Sequence, residues 1–75
     1  MLEKPLKTQK ILSKNVKIHR DELGLSQHGL AARIKEDYGV ILRVEQATHW
    51  PKVKVLEKLA RAFKCQVWEL FRAPK

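Results

Sequence analysis

The side chains best suited to chemistry in this chain are Cys65 and the three histidines, His19, His28 and His49. Between them they offer the sulfur and nitrogen donors of a zinc site. The four ligands would have to come from four separate segments, however, and no zinc-type spacing is present. No metal and no cofactor is expected. Nor is there a Gly-rich phosphate loop or a nucleophile at a recognisable offset from a base, so the chain does not read as an enzyme. What remains is charge. Sixteen Lys and Arg against eight Asp and Glu leave a net +8 over 75 residues. That excess suits a polyanion, either nucleic acid or an anionic membrane surface. Solubilising charge with no partner is the bland alternative.

Charge must be carried on something folded. A chain of this length has room for one domain with a small core, and a partner subunit would add burial. Hydrophobic residues make up 44%, with only three glycines and three prolines, which favours a mostly helical globule over a disordered chain. No apolar run approaches the roughly 20 residues of a membrane span, and no secretion-type start is visible. A lone Cys65 cannot form an internal disulfide, which points to a reducing cytoplasm.

Along the chain, residues 1 to 9 ("MLEKPLKTQ") show no periodicity and read as a flexible basic arm, with the domain proper over residues 10 to 72. From Lys10, Leu12, Val16, His19/Arg20 and Leu23 fall at helical spacing. Gly24 ends that helix. Ser26 suits the N-cap of a second helix, "QHGLAARI", in which Ala31 allows close packing. "YGVILRVE" carries Val40, Ile41 and Val44. "QATHW" before Pro51 breaks the pattern, and Pro51 can open a further helix with Val55, Leu56, Leu59, Ala60 and Phe63 periodic. "QVWELFR" gives a closing helical turn or two, with Val67, Leu70 and Phe71 apolar. The fold class expected is all-α, a compact bundle of about five short helices.

The stretch "LSQHGLAARIKEDYGVILRVE" admits two readings. As one helix, Leu30, Ile34, Tyr38 and Ile41 line one side, but Val40 and Val44 point away. As two helices broken at Lys35-Glu36, both apolar sets turn inward. Asp37 suits an N-cap better than a helix interior, and Gly39 costs about 1 kcal/mol in mid-helix but less near a start. These local facts favour the bend.

Ser26-Gln27 with Leu30-Ala31, then Ile41, Val44 and Glu45, then Pro51 and "LEKLARAFKCQVWELF", resemble the lambda-repressor-like (XRE-type) helix-turn-helix domain over residues 11 to 71. The chain departs from that pattern at the turn, where Lys35 replaces the usual Gly and Glu36 a small apolar residue. A left-handed backbone without Gly costs roughly 1 kcal/mol there. Glu36 and Asp37 also set two carboxylates at the edge of the presumed DNA face.

The resemblance implies double-stranded DNA as partner, with a recognition helix at about 37–46 in the major groove. Ile41 and Val44 must face the core, which leaves Tyr38, Gly39, Leu42 and Arg43 outward as base-reading candidates. The Arg43 fork matches guanine O6 and N7; a phosphate contact or a solvated end is the alternative. Tyr38 would pack on a thymine methyl or sugar, or else cover the bend. Gly39 permits close approach only. Ser26 and Gln27 match the phosphate clamp at a helix start, and Lys35, Lys52 and Lys54 are candidates for neutralising phosphates. Arg20 and Glu45 match a pair that locks the first helix to the reading helix, against the alternative of a surface pair worth little. Cys65 and Leu70 match core positions. Trp68 and Phe71 lie where related repressors meet their twin, or else finish a monomeric core.

The function expected is a sequence-specific DNA-binding transcriptional regulator, a repressor at a promoter or operator, acting as a cytoplasmic homodimer. Two alternatives stand beside it: an antitoxin-like DNA-binding protein that also holds a toxin partner, and a protein-interaction module that has lost DNA binding.

Overall fold

The computed structural model describes residues 6–74. Among these, four α-helices and a closing 3-10 turn follow in the order α1 (Lys7–Glu22), α2 (Gln27–Ile34), α3 (Tyr38–Gln46), α4 (Val53–Phe63) and the turn Val67–Phe71, with no strand. The all-helical bundle expected from periodicity is the observed fold.

The helices close on one apolar core. Leu12, Val16, Leu30, Ile41, Leu59 and Leu70 are its fully enclosed members, with Ile34, Val44, Val55 and Phe63 around them. These recur at three- and four-residue spacing because only one face of each helix can be buried. The apolar sets of α2 and α3 both point inward, which one straight rod could not achieve. Most of the contact of α3 is with α1 and α2, and the closing turn packs on α1 and α4.

The bend falls where local conformation allows it. Ser26 caps α2, its Oγ accepting from the Gly29 amide at 2.9 Å. Lys35 ends α2 in the left-handed region (φ 58°, ψ 49°). One residue on, the Glu36 amide donates to the Ala31 carbonyl at 2.9 Å. That bond, spanning five residues beyond a left-handed one, is the Schellman arrangement. The other three helices end alike, with Gly24, Ala47 and Lys64 left-handed. There Leu25 donates to Arg20, Thr48 to Arg43 and Cys65 to Ala60. Glycine serves only the first of these ends.

Several boundaries differ from the sequence expectation. Helix α1 starts at Lys7 rather than Lys10, because the Gln9 side chain folds back and its Oε1 accepts from the Leu6 amide at 2.8 Å. The expected arm thus falls partly within a helix, and its residues 1–5 lie outside the described residues. Leu23 is not on the buried face but 43% exposed at the helix end. Pro51 does not open α4: Lys52 is still extended (ψ 154°) as its N-cap, and the helix begins at Val53. Asp37 occupies the N-cap position of α3, yet its carboxylate makes no capping bond.

Candidate nucleic-acid interface

Helix α3 is fixed from behind. Ile41 and Val44 are buried in the core, and Glu45 is almost wholly covered. The Glu45 carboxylate accepts from Arg20 Nε at 2.7 Å and from Arg20 Nη2 at 3.2 Å, a two-point grip of fork on carboxylate. Arg20 Nη1 donates further to the Leu25 carbonyl at 2.9 Å. The hydrogen bond to Glu45 raises the Arg20 pKa, against the opposing effect of burial, with the charges of Glu45 and Asp21 adding to the rise. Arg20 on α1 and Glu45 on α3 are therefore joined as a covered pair. Ser13 strengthens the same seam, its hydroxyl donating to the Glu45 carbonyl.

The seam continues outward. Gln27 Nε2 donates to Glu45 Oε1 at 3.0 Å, and Gln27 Oε1 accepts from the Tyr38 hydroxyl at 3.3 Å. Both ends of the Gln27 side chain are thereby engaged within the protein, which leaves its backbone amide and the second N–H of Nε2 to face a phosphate. Tyr38 is half-buried, its ring stacked on His28 with centroids 3.8 Å apart and planes within 7°. It covers the junction of α2 and α3 as well as standing at the start of the outer face.

On that outer face Arg43 is exposed, while Gly39 and Leu42 are only partly so. Leu42 thus lies at the margin of the outward face. The Arg43 guanidinium lies back over Gly39: a Cβ on Gly39 would stand 3.1 Å from Arg43 Nη1. At i,i+4 spacing the two share one side of the helix, so the missing side chain at Gly39 leaves room for Arg43 along the rod.

The acidic edge expected from Glu36 and Asp37 is half cancelled. Lys58 Nζ donates to Glu36 Oε2 at 2.7 Å. That bond holds the Glu36 carboxyl below its usual range despite some opposing desolvation, with the charges of Lys58, Lys54 and Lys52 acting in the same sense. Lys35, Lys52 and Lys54 are all exposed, Lys35 at the turn and the others at the start of α4. Beside Lys35, the side chains of Arg33, Lys58 and Arg61 line a basic groove of about 380 Å³.

In the sequence His28 stands out only as a possible metal ligand, and Lys58 does not stand out at all. A Gln27–His28 start to one helix and an aromatic at the start of the next was the available signal for the first. Nothing local marks the second. Among the described residues no group of three or more His, Cys, Asp and Glu is placed to hold a metal ion, and no helix is long and apolar enough to cross a membrane.

Trp68 is 61% exposed, Trp50 50% and Val53 67%. Phe71 is half-buried, its ring 6.5 Å from that of Trp50. Trp50 therefore packs on the closing turn and not only on its sequence neighbours. Cys65 is half-buried against the core, and this burial raises its thiol pKa, with the charge of Glu69 adding to the effect.

Two short helices meeting at a tight turn, the second locked by its rear face and open along its front, define a helix-turn-helix, a DNA-binding class. The helix-turn-helix family model matches residues 16–67, and the chain belongs to that family, of the lambda-repressor-like type that its motif resembles. Among solved structures it is similar to a hypothetical transcription factor, NHTF, from Neisseria. The TM-score is 0.85 and the identity 25%, over 89% of this chain and 75% of that one. No curated protein matches it by sequence.

Proposed function

We propose that this protein is a sequence-specific transcriptional repressor that occupies a promoter or operator through α3. The observation that carries this is the outward placement of Arg43 on a helix whose rear is fixed by the Arg20–Glu45 pair. A reading side chain gains specificity only if its helix is held in place. Arg43 discriminates guanine through its two-pronged donor set, a bidentate contact worth about 1–3 kcal/mol. Lys35, Lys52 and Lys54 neutralise phosphates on either side, with Ser26 and the Gln27 amide at the start of α2. The similarity to a protein described as a transcription factor supports the regulatory role.

The repressor acts as a homodimer. Trp68 and Phe71 in the closing turn, together with Trp50 and Val53, supply the apolar surface in support of this. Two-fold symmetry then gives a palindromic site with half-sites about one DNA turn apart.

Selection of bound sequences from random DNA at physiological salt is the decisive experiment. Arg43→Ala relaxes preference at one base position, whereas Lys52→Ala weakens all sequences alike and flattens the salt dependence by about 0.9 in slope. Indistinguishable effects of the two changes would remove Arg43 from base reading. If no sequence is enriched by the wild type, the exposed tryptophans point instead to an interaction module; enrichment of a motif together with capture of a toxin partner would point to the antitoxin reading. Sedimentation of Trp68→Ser as a monomer where the wild type is a dimer tests the assembly.

A further inference from the structure

We propose that His28 is a specificity-determining residue of this interface, donating a ring N–H to the N7 acceptor of a purine beside the bases met by α3. The proposal rests on the DNA-reading role of that helix. His28 is the second residue of α2 and is exposed. Its imidazole lies flat on the ring of Tyr38, the first residue of α3, at 3.8 Å and 7°. The N-terminal residues of a reading helix are those that meet base edges, so the stack brings an α2 side chain to the same front.

The imidazole is also anchored. Tyr38 is tied to Gln27, Gln27 to Glu45, and Glu45 to Arg20. This relay runs from the covered seam between α1 and α3 out to the stacked rings. A side chain held flat before binding loses less freedom on binding than a loose one, which favours directional contacts. Among the described residues no hydrogen bond engages either ring nitrogen of His28. A ring N–H in the plane of the imidazole is a single directed donor. In the major groove the lone directed acceptor common to both purines is N7. Tyr38 supplies the surface that fixes the imidazole plane, and His28 supplies the polar edge.

The test compares wild type, His28→Ala and His28→Phe in the same selection from random DNA. Phenylalanine keeps a flat ring on Tyr38 and removes both nitrogens. Both variants are expected to keep the wild-type circular dichroism and to lose about tenfold discrimination at one purine position, the rest of the motif standing. Replacing that purine by its 7-deaza analogue then weakens wild type about tenfold and leaves His28→Phe unmoved.

A wild-type motif selected by His28→Phe would reduce His28 to a packing role and overturn the proposal. So would a uniform loss on all sequences, the mark of a phosphate contact, or an equal deaza effect on both proteins. Failure of the wild type to select any motif would overturn the DNA reading itself, a result separable from failure at His28 alone.

Discussion

Lys58 on α4 closes on Glu36 in the turn of the motif, Nζ to Oε2 at 2.7 Å. The turn is thereby tied to a helix 22 residues further along, and a carboxylate that would repel phosphate is compensated. Because the Glu36 pKa is depressed in the folded state, the pair stabilises the fold fully above the unfolded value of about 4.3. That contribution is lost as pH falls through the lower folded value. Lys58→Met is expected to lower the melting temperature relative to wild type at pH 7 and to lower it by less at pH 2. Equal losses at both pH values would show that Lys58 acts through packing alone. Glu36→Gln should raise affinity for non-specific DNA at low salt.

The Arg20–Glu45 pair is covered on the Glu45 side, 2% exposed against 17% for Arg20. Removing Glu45 leaves Arg20 and Gln27 facing a gap, and breaking a pair so enclosed costs roughly 3 kcal/mol. For a domain of this size that is a fall in melting temperature on the order of 15 °C. Glu45→Ala is expected to show it by differential scanning calorimetry. A change below a few degrees would place the pair with ordinary surface bridges.

Gly39→Ala separates stability from reading. Alanine gains up to about 1 kcal/mol in helix propensity, while its Cβ meets Arg43 Nη1 at 3.1 Å and moves the guanidinium off its resting place. The variant should melt higher and select an altered base at the Arg43 position. A stabilised protein with an unaltered motif would show that Arg43 reads from another rotamer.

Lys35 holds a left-handed backbone at φ 58° with a side chain that disfavours it. Lys35→Gly relieves roughly 1 kcal/mol of strain, partly offset by the greater freedom of glycine in the unfolded chain. A rise in the urea midpoint is expected, absent in Lys35→Ala, which stays strained. If alanine stabilises as much as glycine, strain at the turn is not the cause.

Asn15 latches the closing turn. Its Nδ2 donates to the carbonyls of Leu70 and Arg72 at 2.7 and 2.8 Å. Asn15→Ala leaves those acceptors without their donor at a cost of about 1–3 kcal/mol. Amides of residues 67–71 should then exchange faster with solvent while those of α2 and α3 keep their protection. Uniform loss of protection would mean that the turn unfolds only with the whole domain.

The sequence by itself determined whatever depends on neighbours along the chain. Periodic Leu, Ile and Val set which face of each helix is buried, and Ser26 and Gly24 marked ends through preferences of their own backbone and side chain. The bend at Lys35 was legible for a related reason: a straight rod would have wasted Val44, now 3% exposed. Three of the four helix ends carried no glycine, and there only packing selects the left-handed residue. The early start of α1 lay hidden because Gln9 acts as its own cap only once the helix exists.

Tertiary structure alone decided which distant groups meet. Lys58 faces Glu36, Gln27 is engaged at both ends, and His28 lies on Tyr38 because α2 packs against both α3 and α4. The physical reason is the range of the forces involved. Torsional preference and helical period act over a few residues and are written in order along the chain. Ion pairing and ring stacking depend on separation in space, and that is set only when the core has closed.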